Sequence, residues 1–334
     1  MIIVTGGAGF IGSNFILKFL ESSNENLLNL DNLSYAANLS NLKTIDSDPR
    51  YSFTKINIQN QSEVEQIVKE VKPRAILNFA AESHVDRSIE GPESFINTNI
   101  LGTYSLLEAA LNYWNDLDES GKKIFRFFHI STDEVFGSLD INDKKSTEES
   151  SYKPNSPYSA SKAASDHLVR AWHHTFKLPT LVSNCTNNYG PHQHEEKLIP
   201  LIITKALKNE DLPIYGDGKN IRDWLYVEDH CEAIMKILES GNPGETYNIG
   251  GSCEKNNIEV VSEICKILDS QKPKKDGSSY EKQIKFVKDR PGHDFRYSLD
   301  IAKIEDKLNW KPKESFSSGL EKTVQWYLKD LELN

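Results

Sequence analysis

Cysteine is scarce. Cys185, Cys231, Cys253 and Cys265 are the four in 334 residues, and they form no C-x-x-C pair and no zinc spacing. A disulfide framework and a structural zinc module are therefore not expected, and reduced thiols in a cytoplasmic protein are. Long apolar runs are missing too: none approaches the roughly 18 residues of a membrane span, so no membrane partner is expected. Basic charge is in deficit, with 39 Lys and Arg against 49 Asp and Glu and a net charge of −10. A nucleic-acid partner is accordingly not expected, although a local basic pocket for phosphates is compatible with that balance. His84, His129, His192 and His194 match no zinc pattern, so no metal is expected. There is no internal repeat and no low-complexity segment. Met1-Ile-Ile-Val4 leads straight into a glycine loop, and no signal peptide is expected.

What is present suits a soluble globular chain, 38% hydrophobic and 26% charged. Its length suits one large α/β domain with a smaller lobe, or two domains. Ile2–Val4 reads as a strand, followed by Thr5-Gly-Gly-Ala-Gly-Phe-Ile-Gly12 and a helical apolar pattern from Ser13 to Leu20. Glycines at 7, 9 and 12, or at 6, 9 and 12, permit a tight turn, close approach of a pyrophosphate and close helix packing. The strand before and the helix after supply the context that a dinucleotide site requires. Asn26 to Leu30 reads as a second strand ending at Asp31. An acid about 20 residues past the glycines is placed to bond ribose hydroxyls and would repel a 2′-phosphate, so NAD is expected rather than NADP. Strands are expected at Tyr51–Ile58 and Pro73–Ala81, and helices at Gln61–Val71, Thr98–Asn115 and Ala160–Phe176. Thr180–Asn184 reads as a further strand and Gly137–Asn155 as a surface loop. Beyond Asn187-Asn-Tyr-Gly-Pro191 the βαβ rhythm breaks. The expected organisation is a dinucleotide-binding domain over residues 1–190 and an interleaved second lobe over 191–334.

The most informative stretch is His129-Ile-Ser-Thr-Asp-Glu-Val-Phe-Gly137. Ile124 to Ile130 reads as a buried strand that empties into a hydroxyl and two adjacent carboxylates, at the sheet edge where ligands bind in open α/β folds. Adjacent partly buried carboxylates repel, and at least one pKa rises. Such a pair can hold one acid protonated beside one charged base. Downstream, Tyr158-Ser-Ala-Ser-Lys162 is Y-x-x-x-K, with Pro157 at a favoured helix start. Residues i and i+4 share a helix face. The ammonium is therefore expected to lower a phenol pKa that starts near 10. A phenolate there could take a proton from a sugar hydroxyl.

These motifs, with Ala80-Ala-Glu-Ser-His-Val-Asp-Arg87, Arg222-Asp-Trp-Leu-Tyr-Val-Glu-Asp229 and Asp289-Arg-Pro-Gly-His293, resemble the extended short-chain dehydrogenase/reductase family of NAD-dependent epimerases and dehydratases. The resemblance covers almost the whole chain. It implies a doubly wound, Rossmann-type parallel sheet with a smaller mixed α/β C-terminal substrate lobe, and a homodimer. It also implies NAD as a tightly held cofactor and dTDP-glucose as the substrate, thymidine coming from the resemblance alone. The Thr-Asp-Glu triplet points to the dehydratases of the family, since its epimerases and decarboxylases usually lack that acid pair.

The implied roles fall on particular residues. Thr132 would bond the sugar 4-hydroxyl, Tyr158 with Lys162 would remove its proton, Glu134 would take the C5 proton, and Asp133 would protonate the departing 6-hydroxyl. The cofactor would meet Gly6, Gly9, Phe10, Ile11, Gly12, Asp31, Asn32, Leu33, Ser34, Asn57, Ile58, Ala80, Ala81, Thr98, Tyr158, Lys162 and Asn188. The substrate would meet Ser83, Thr132, Asn187, Lys197, Leu198, Pro213, Ile214, Tyr215, Arg222, Asn257, Asp289, Arg290 and His293. Arg222 and Arg290 suit a pyrophosphate because guanidinium bonds phosphate oxygens in pairs. Two positions depart from the family pattern. Asn57 stands where relatives often carry Asp, and Phe136 stands where a Tyr is usual. The rivals are a 4-epimerase, the same dehydration on another nucleotide sugar, and a non-catalytic NAD-binding scaffold. The first would not need Asp133 and Glu134, and the last predicts damage at the tyrosine, lysine or acid positions, all of which are intact.

Overall fold

The structure is a computed structural model and describes residues 1–333. The strands of its first half are β1 (Ile2–Thr5), β2 (Leu27–Asp31), β3 (Tyr51–Lys55), β4 (Ala75–Asn78), β5 (Arg126–Thr132) and β6 (Thr180–Cys185). Those of its second half are β7 (Asn187–Tyr189), β8 (Leu212–Tyr215), β9 (Ile221–Tyr226), β10 (Thr246–Ile249), β11 (Glu254–Asn256) and β12 (Ile284–Val287). Seven of them form one parallel sheet in the order β10-β6-β5-β4-β1-β2-β3.

Alternation along each strand feeds two cores. Ile2, Val4 and Phe128 face one layer, with the helices Phe10–Ser22 and Val227–Ser240. Ile3, Ile76 and Phe127 face the other, with Gln61–Val71 and Thr103–Asn115. Strand order reverses between β4 and β2 on either side of β1, and the crevice at the carboxyl ends of these strands is where an open α/β sheet takes its ligand. The architecture is therefore the doubly wound α/β sheet with a smaller mixed lobe. That lobe joins β11, β9 and β7 in one small sheet and β12 and β8 in another. Its separate core is built by the helices Leu198–Leu207, Asn257–Gln271 and Phe316–Leu333.

Local differences from the sequence reading have local causes. The Thr98–Asn115 helix is two pieces, a wide turn over Ile96–Gly102 followed by Thr103–Asn115. In the wide turn Asn99 accepts from the Glu82 N–H at 2.9 Å and donates to Ser161 Oγ at 2.8 Å, which ties the end of β4 to the Tyr158 helix. Strand β3 stops at Lys55, and Asn57 turns back to accept the Gln59 N–H at 3.0 Å. Ile124 closes the helix Glu119–Ile124 instead of opening β5. The 137–155 loop is not wholly superficial: Ser146 is buried and bridges to Leu299 in the second half of the chain. The βαβ rhythm also resumes after 190, because the helix Val227–Ser240 returns the chain to β10, parallel to β6.

Candidate active site

The cleft begins at the glycine loop. Gly6 has φ +70°, and a Cβ there would lie 2.6 Å from the Ala80 nitrogen. A Cβ on Gly12 would lie 2.3 Å from the Gly6 carbonyl oxygen. Only glycine permits that conformation together with that approach. Gly9 caps the helix Phe10–Ser22 without a side-chain bond, and the first turn carries no acid. Its leading N–H groups therefore face the cleft as donors for an anion. Across from them, buried Asp31 ends β2 and accepts the Ala8 N–H at 2.9 Å and the Leu33 N–H at 2.8 Å. A glycine cradle, an uncapped helix start and a fixed carboxylate are the donor and acceptor set that a dinucleotide's pyrophosphate and ribose require, so the residues present fit NAD.

Strand β5 delivers the reactive groups. After Thr132 the chain enters the short turn Asp133–Phe136, whose first N–H bonds go to Thr132: the Glu134 N–H donates to Thr132 Oγ1 at 3.3 Å, and Thr132 Oγ1 donates to Asp133 Oδ1 at 3.3 Å. Opposite, the helix Pro157–Phe176 starts with a reciprocal Ser156–Ser159 cap and Pro157 in its first turn, one turn earlier than its apolar pattern indicates. That start places buried Tyr158 within reach of the Thr132 hydroxyl.

The two carboxylates differ in kind. Asp133 is 3% exposed and its Oδ2 has no hydrogen-bond partner among the described residues. Burial, reinforced by Glu134, pushes it well above the usual carboxylate range, although Arg222 pulls the other way. Asp133 is thus biased toward its neutral acid form. Burial raises Glu134 also, but it is faced by Arg222, Arg290 and Lys197, three cations that favour its charged form. The environments push the two apart, as an acid and a base require.

Tyr158 corrects one expectation. Its phenol is not lowered: burial first, then Glu134, Cys185 and Asp133, push it well above its ordinary value, with only the Thr132 bond opposing. The Lys162 ammonium donates to the Ile130 carbonyl at 2.8 Å and lies 3.3 Å from His129 Nε2, behind the phenol.

The cleft gathers most of the residues singled out in the sequence. Gly6, Gly9, Phe10, Ile11, Gly12, Asp31, Asn32 and Ser34 line one end, with Ile58, Ala80, Ala81 and Thr98 beside them. Thr132, Asp133, Glu134, Tyr158 and Lys162 line its middle, and Ser83, Asn187, Asn188 and Lys197 its far side. Leu33 and Asn57 do not line it. Nor do Leu198, Pro213, Ile214 and Asn257, which lie in the neighbouring lobe, Ile214 in its core. Arg222, Tyr215, Asp289, Arg290 and His293 form the adjoining wall. Arg222 is buried over the Tyr297 ring at 4.6 Å, and His293 Nδ1 lies 2.7 Å from Asp289 Oδ1. Arg290 Nη1 stands 3.5 Å from Asp86, while its Nε is buried and bonds to nothing among the described residues, which suits a phosphate oxygen.

Other lining residues were assigned no role from the sequence. Cys185 stands beside Tyr158, and Tyr35, His84, His194 and Glu196 form the rim. At that rim the Arg87 guanidinium stacks 3.8 Å over the Tyr35 ring and pairs with Glu196 at 2.6 Å, and His84 Nε2 lies 3.6 Å from the same carboxylate. Three chain segments, after β2, after β4 and after β7, are thereby tied across the cleft mouth. No spacing rule links residues 35, 87 and 196, so only the fold reveals them.

Comparison with known proteins agrees with this geometry. The family model described as GDP-mannose 4,6 dehydratase matches residues 3–323. The chain is 55% identical over 326 residues to a dTDP-glucose 4,6-dehydratase of Xanthomonas campestris pv. campestris, covering 98% of this chain and 92% of that protein. Among solved structures it resembles the dTDP-glucose 4,6-dehydratase of Streptomyces venezuelae with NAD bound, at TM-score 0.90 and 43% identity over 99% of this chain and 98% of that one. The Bacillus anthracis enzyme of the same name, in complex with NAD, aligns at TM-score 0.87 and 45% identity over 99% and 97%. The chain belongs to the GDP-mannose 4,6-dehydratase family, within the extended short-chain dehydrogenases/reductases.

Proposed function

We propose that this chain dehydrates dTDP-glucose to dTDP-4-keto-6-deoxyglucose with NAD as a retained cofactor. The observation that carries this reading is the Asp133–Glu134 pair, the first raised well above the carboxylate range and the second faced by three cations, in the same cleft as Tyr158 and the glycine cradle. A 4-epimerase has no use for that pair; a β-elimination beside a ketone needs both members. Held by the Gly6–Gly12 cradle and Asp31, NAD would supply the hydride acceptor for C4 and the hydride donor for C6. Thr132 orients the sugar 4-hydroxyl and Tyr158 takes its proton, with Lys162 behind it. Once C4 is a ketone the C5 proton is acidic; Glu134 removes it while Asp133 protonates the departing 6-hydroxyl and water leaves, and C5 is reprotonated from Glu134 as C6 is reduced. Arg222, Arg290 and Lys197 hold the nucleotide diphosphate end. Incubation with dTDP-glucose followed by mass spectrometry tests the reaction: loss of one water supports dehydration, whereas an unchanged mass with a new stereocentre supports epimerisation.

Asp31 sets the cofactor. Its buried carboxylate would meet a 2′-phosphate at close range, so NADP should bind at least about tenfold more weakly than NAD, a difference of about 1.4 kcal/mol. Equal affinities in calorimetry would remove Asp31 from that role. The Arg87 tie over the cleft mouth should slow cofactor escape. Arg87→Ala is expected to lose several-fold more NAD during gel filtration than the unmodified protein, with an unchanged melting temperature because the pair is exposed.

A homodimer is proposed through the face that carries Ile96, Leu101, Tyr104 and Phe176. These are exposed apolar side chains on the paired segments 96–115 and 157–176, bridged by the Tyr104–Trp172 ring contact at 5.9 Å. The free state of all four cysteines supports a reducing compartment, and we propose the cytoplasm. No helix among the described residues is long and apolar enough to cross a membrane.

A further inference from the structure

Beneath Tyr158 runs a buried polar chain that the reaction above does not use. Thr5 Oγ1 donates to Asn78 Oδ1 at 2.7 Å, and Asn78 Nδ2 lies 3.1 Å from His129 Nδ1. His129 Nε2 lies 3.4 Å from Asp166 Oδ1 and 3.3 Å from Lys162 Nζ. Asp166 Oδ2 accepts from Tyr152 at 2.9 Å and from Asn184 at 3.1 Å. His129, Lys162 and Asp166 are all essentially inaccessible to water, at 1%, 3% and 0% exposure.

The chain decides where the imidazole proton sits. Thr5 Oγ1 already accepts the Ala80 N–H, so it gives its own proton to Asn78 Oδ1, and Asn78 then presents N–H to His129 Nδ1. The remaining imidazole proton lies on Nε2, on the side of Asp166 Oδ1 3.4 Å away, a buried oxygen that no hydrogen bond satisfies among the described residues. Burial brings His129 down to about 4, so it is a neutral linker and not a second cation. Burial also works on Asp166, but the neighbouring His129, Lys162 and Ser131 outweigh it and hold the carboxyl below its usual range. A permanent negative charge is thus anchored behind His129, on the side of Lys162 away from the cleft.

We propose that Asp166, acting through His129, is the internal counter-charge that keeps Lys162 an ammonium behind Tyr158. Both are positioning residues for the base of the proposed dehydration, and the inference rests on that reading for its link to turnover. Lys162 needs such a partner because burial brings it down to about 8 even with Asp166 and then Cys185 opposing the fall. The other titratable groups around the pair are Tyr158 and Arg170 on the same helix, His129 on β5, Cys185 on β6 and Tyr152 on the preceding loop. Among these, Asp166 is the one group that is anionic at neutral pH.

The test titrates Lys162 directly. Holoprotein carrying 13C at the lysine ε-carbon is followed by NMR against pH, with Lys162 identified by loss of its signal in Lys162→Met. In Asp166→Asn the Lys162 midpoint should fall by about one pH unit or more, the effect of removing an opposite charge at this range. The alkaline limb of kcat should move down by the same amount. Tyr152→Phe removes a hydrogen bond to the same carboxylate without its charge and should leave the midpoint within a few tenths of a unit. If Asp166→Asn folds poorly, His129→Leu tests the same link: without the imidazole proton the carboxylate takes up a proton itself, and the Lys162 midpoint falls likewise. An unchanged Lys162 midpoint in the folded variant, or a pH-independent loss of kcat, overturns the proposal. A lowered midpoint in a protein that fails to dehydrate dTDP-glucose would leave the counter-charge standing and overturn the proposed reaction instead.

Discussion

Tyr158→Phe should lower kcat at least about a hundredfold, the usual scale for losing a general base, while nucleotide-sugar binding stays close to normal. The structure explains why the effect is confined to chemistry. The ring packs edge-on to Phe95 at 6.3 Å, and that contact survives in phenylalanine. The side chain is 8% exposed and the substitution leaves no cavity, so the melting temperature should hold. What disappears is the hydroxyl that meets Thr132. The acid limb of the rate should also carry the mark of this tyrosine. Burial and the carboxylates of Glu134 and Asp133 raise its pKa, so the free protein is poorly ionised at neutral pH, and activity should climb as pH rises through the tyrosine's folded value. Turnover of the variant within about tenfold of normal, with the same pH profile, would mean that another group is the base.

The sequence made some of this legible and concealed the rest, for physical reasons that differ by element. The glycine loop, Asp31, the acid pair and Y-x-x-x-K were readable because each depends on local geometry: a turn, a strand end, one helical turn. The helix Gln61–Val71 was readable to the residue, since an amphipathic stripe and a left-handed cap at Lys72 bound it. The return of the chain to β10 was not, because Thr246–Ile249 is four residues long and nothing local distinguishes a strand of the large sheet from one of the small lobe. The charge state of Tyr158 was misread for the same reason. Helical spacing brings Lys162 to the correct face, but the burial that raises the phenol, and Glu134, Cys185 and Asp133 which add to it, come from other parts of the fold. Tyr35, Arg87 and Glu196 meet only because three loops converge at one sheet edge.

The acid pair yields the sharpest expectation. Asp133→Asn and Glu134→Gln are near-isosteric, so both proteins should fold and bind substrate, and both should lose net turnover by about a hundredfold or more. They should fail at different bonds. Without Glu134 the C5 proton has no acceptor, so substrate recovered from D₂O should carry no deuterium at C5, although C4 can still be oxidised. Rapid quenching should then trap a sugar lighter than substrate by two hydrogens and not lighter by a water. Without Asp133 the C5 proton can still leave and return, so exchange should persist while loss of the 6-hydroxyl, deprived of its proton donor, stalls. The structure adds a second, opposing effect. Glu134 is the charged neighbour that raises Tyr158 most, so Glu134→Gln should bring the phenol down, and the acid limb of C4 oxidation should move to lower pH. The same substitution that abolishes C5 exchange should therefore widen the pH range of the first step. Asp133 stands behind Glu134 among the groups that raise Tyr158, so Asp133→Asn should move that limb less than Glu134→Gln does. Equal C5 exchange in the two variants, or a limb that moves in Asp133→Asn and not in Glu134→Gln, would show that the acid and base roles are assigned the wrong way round.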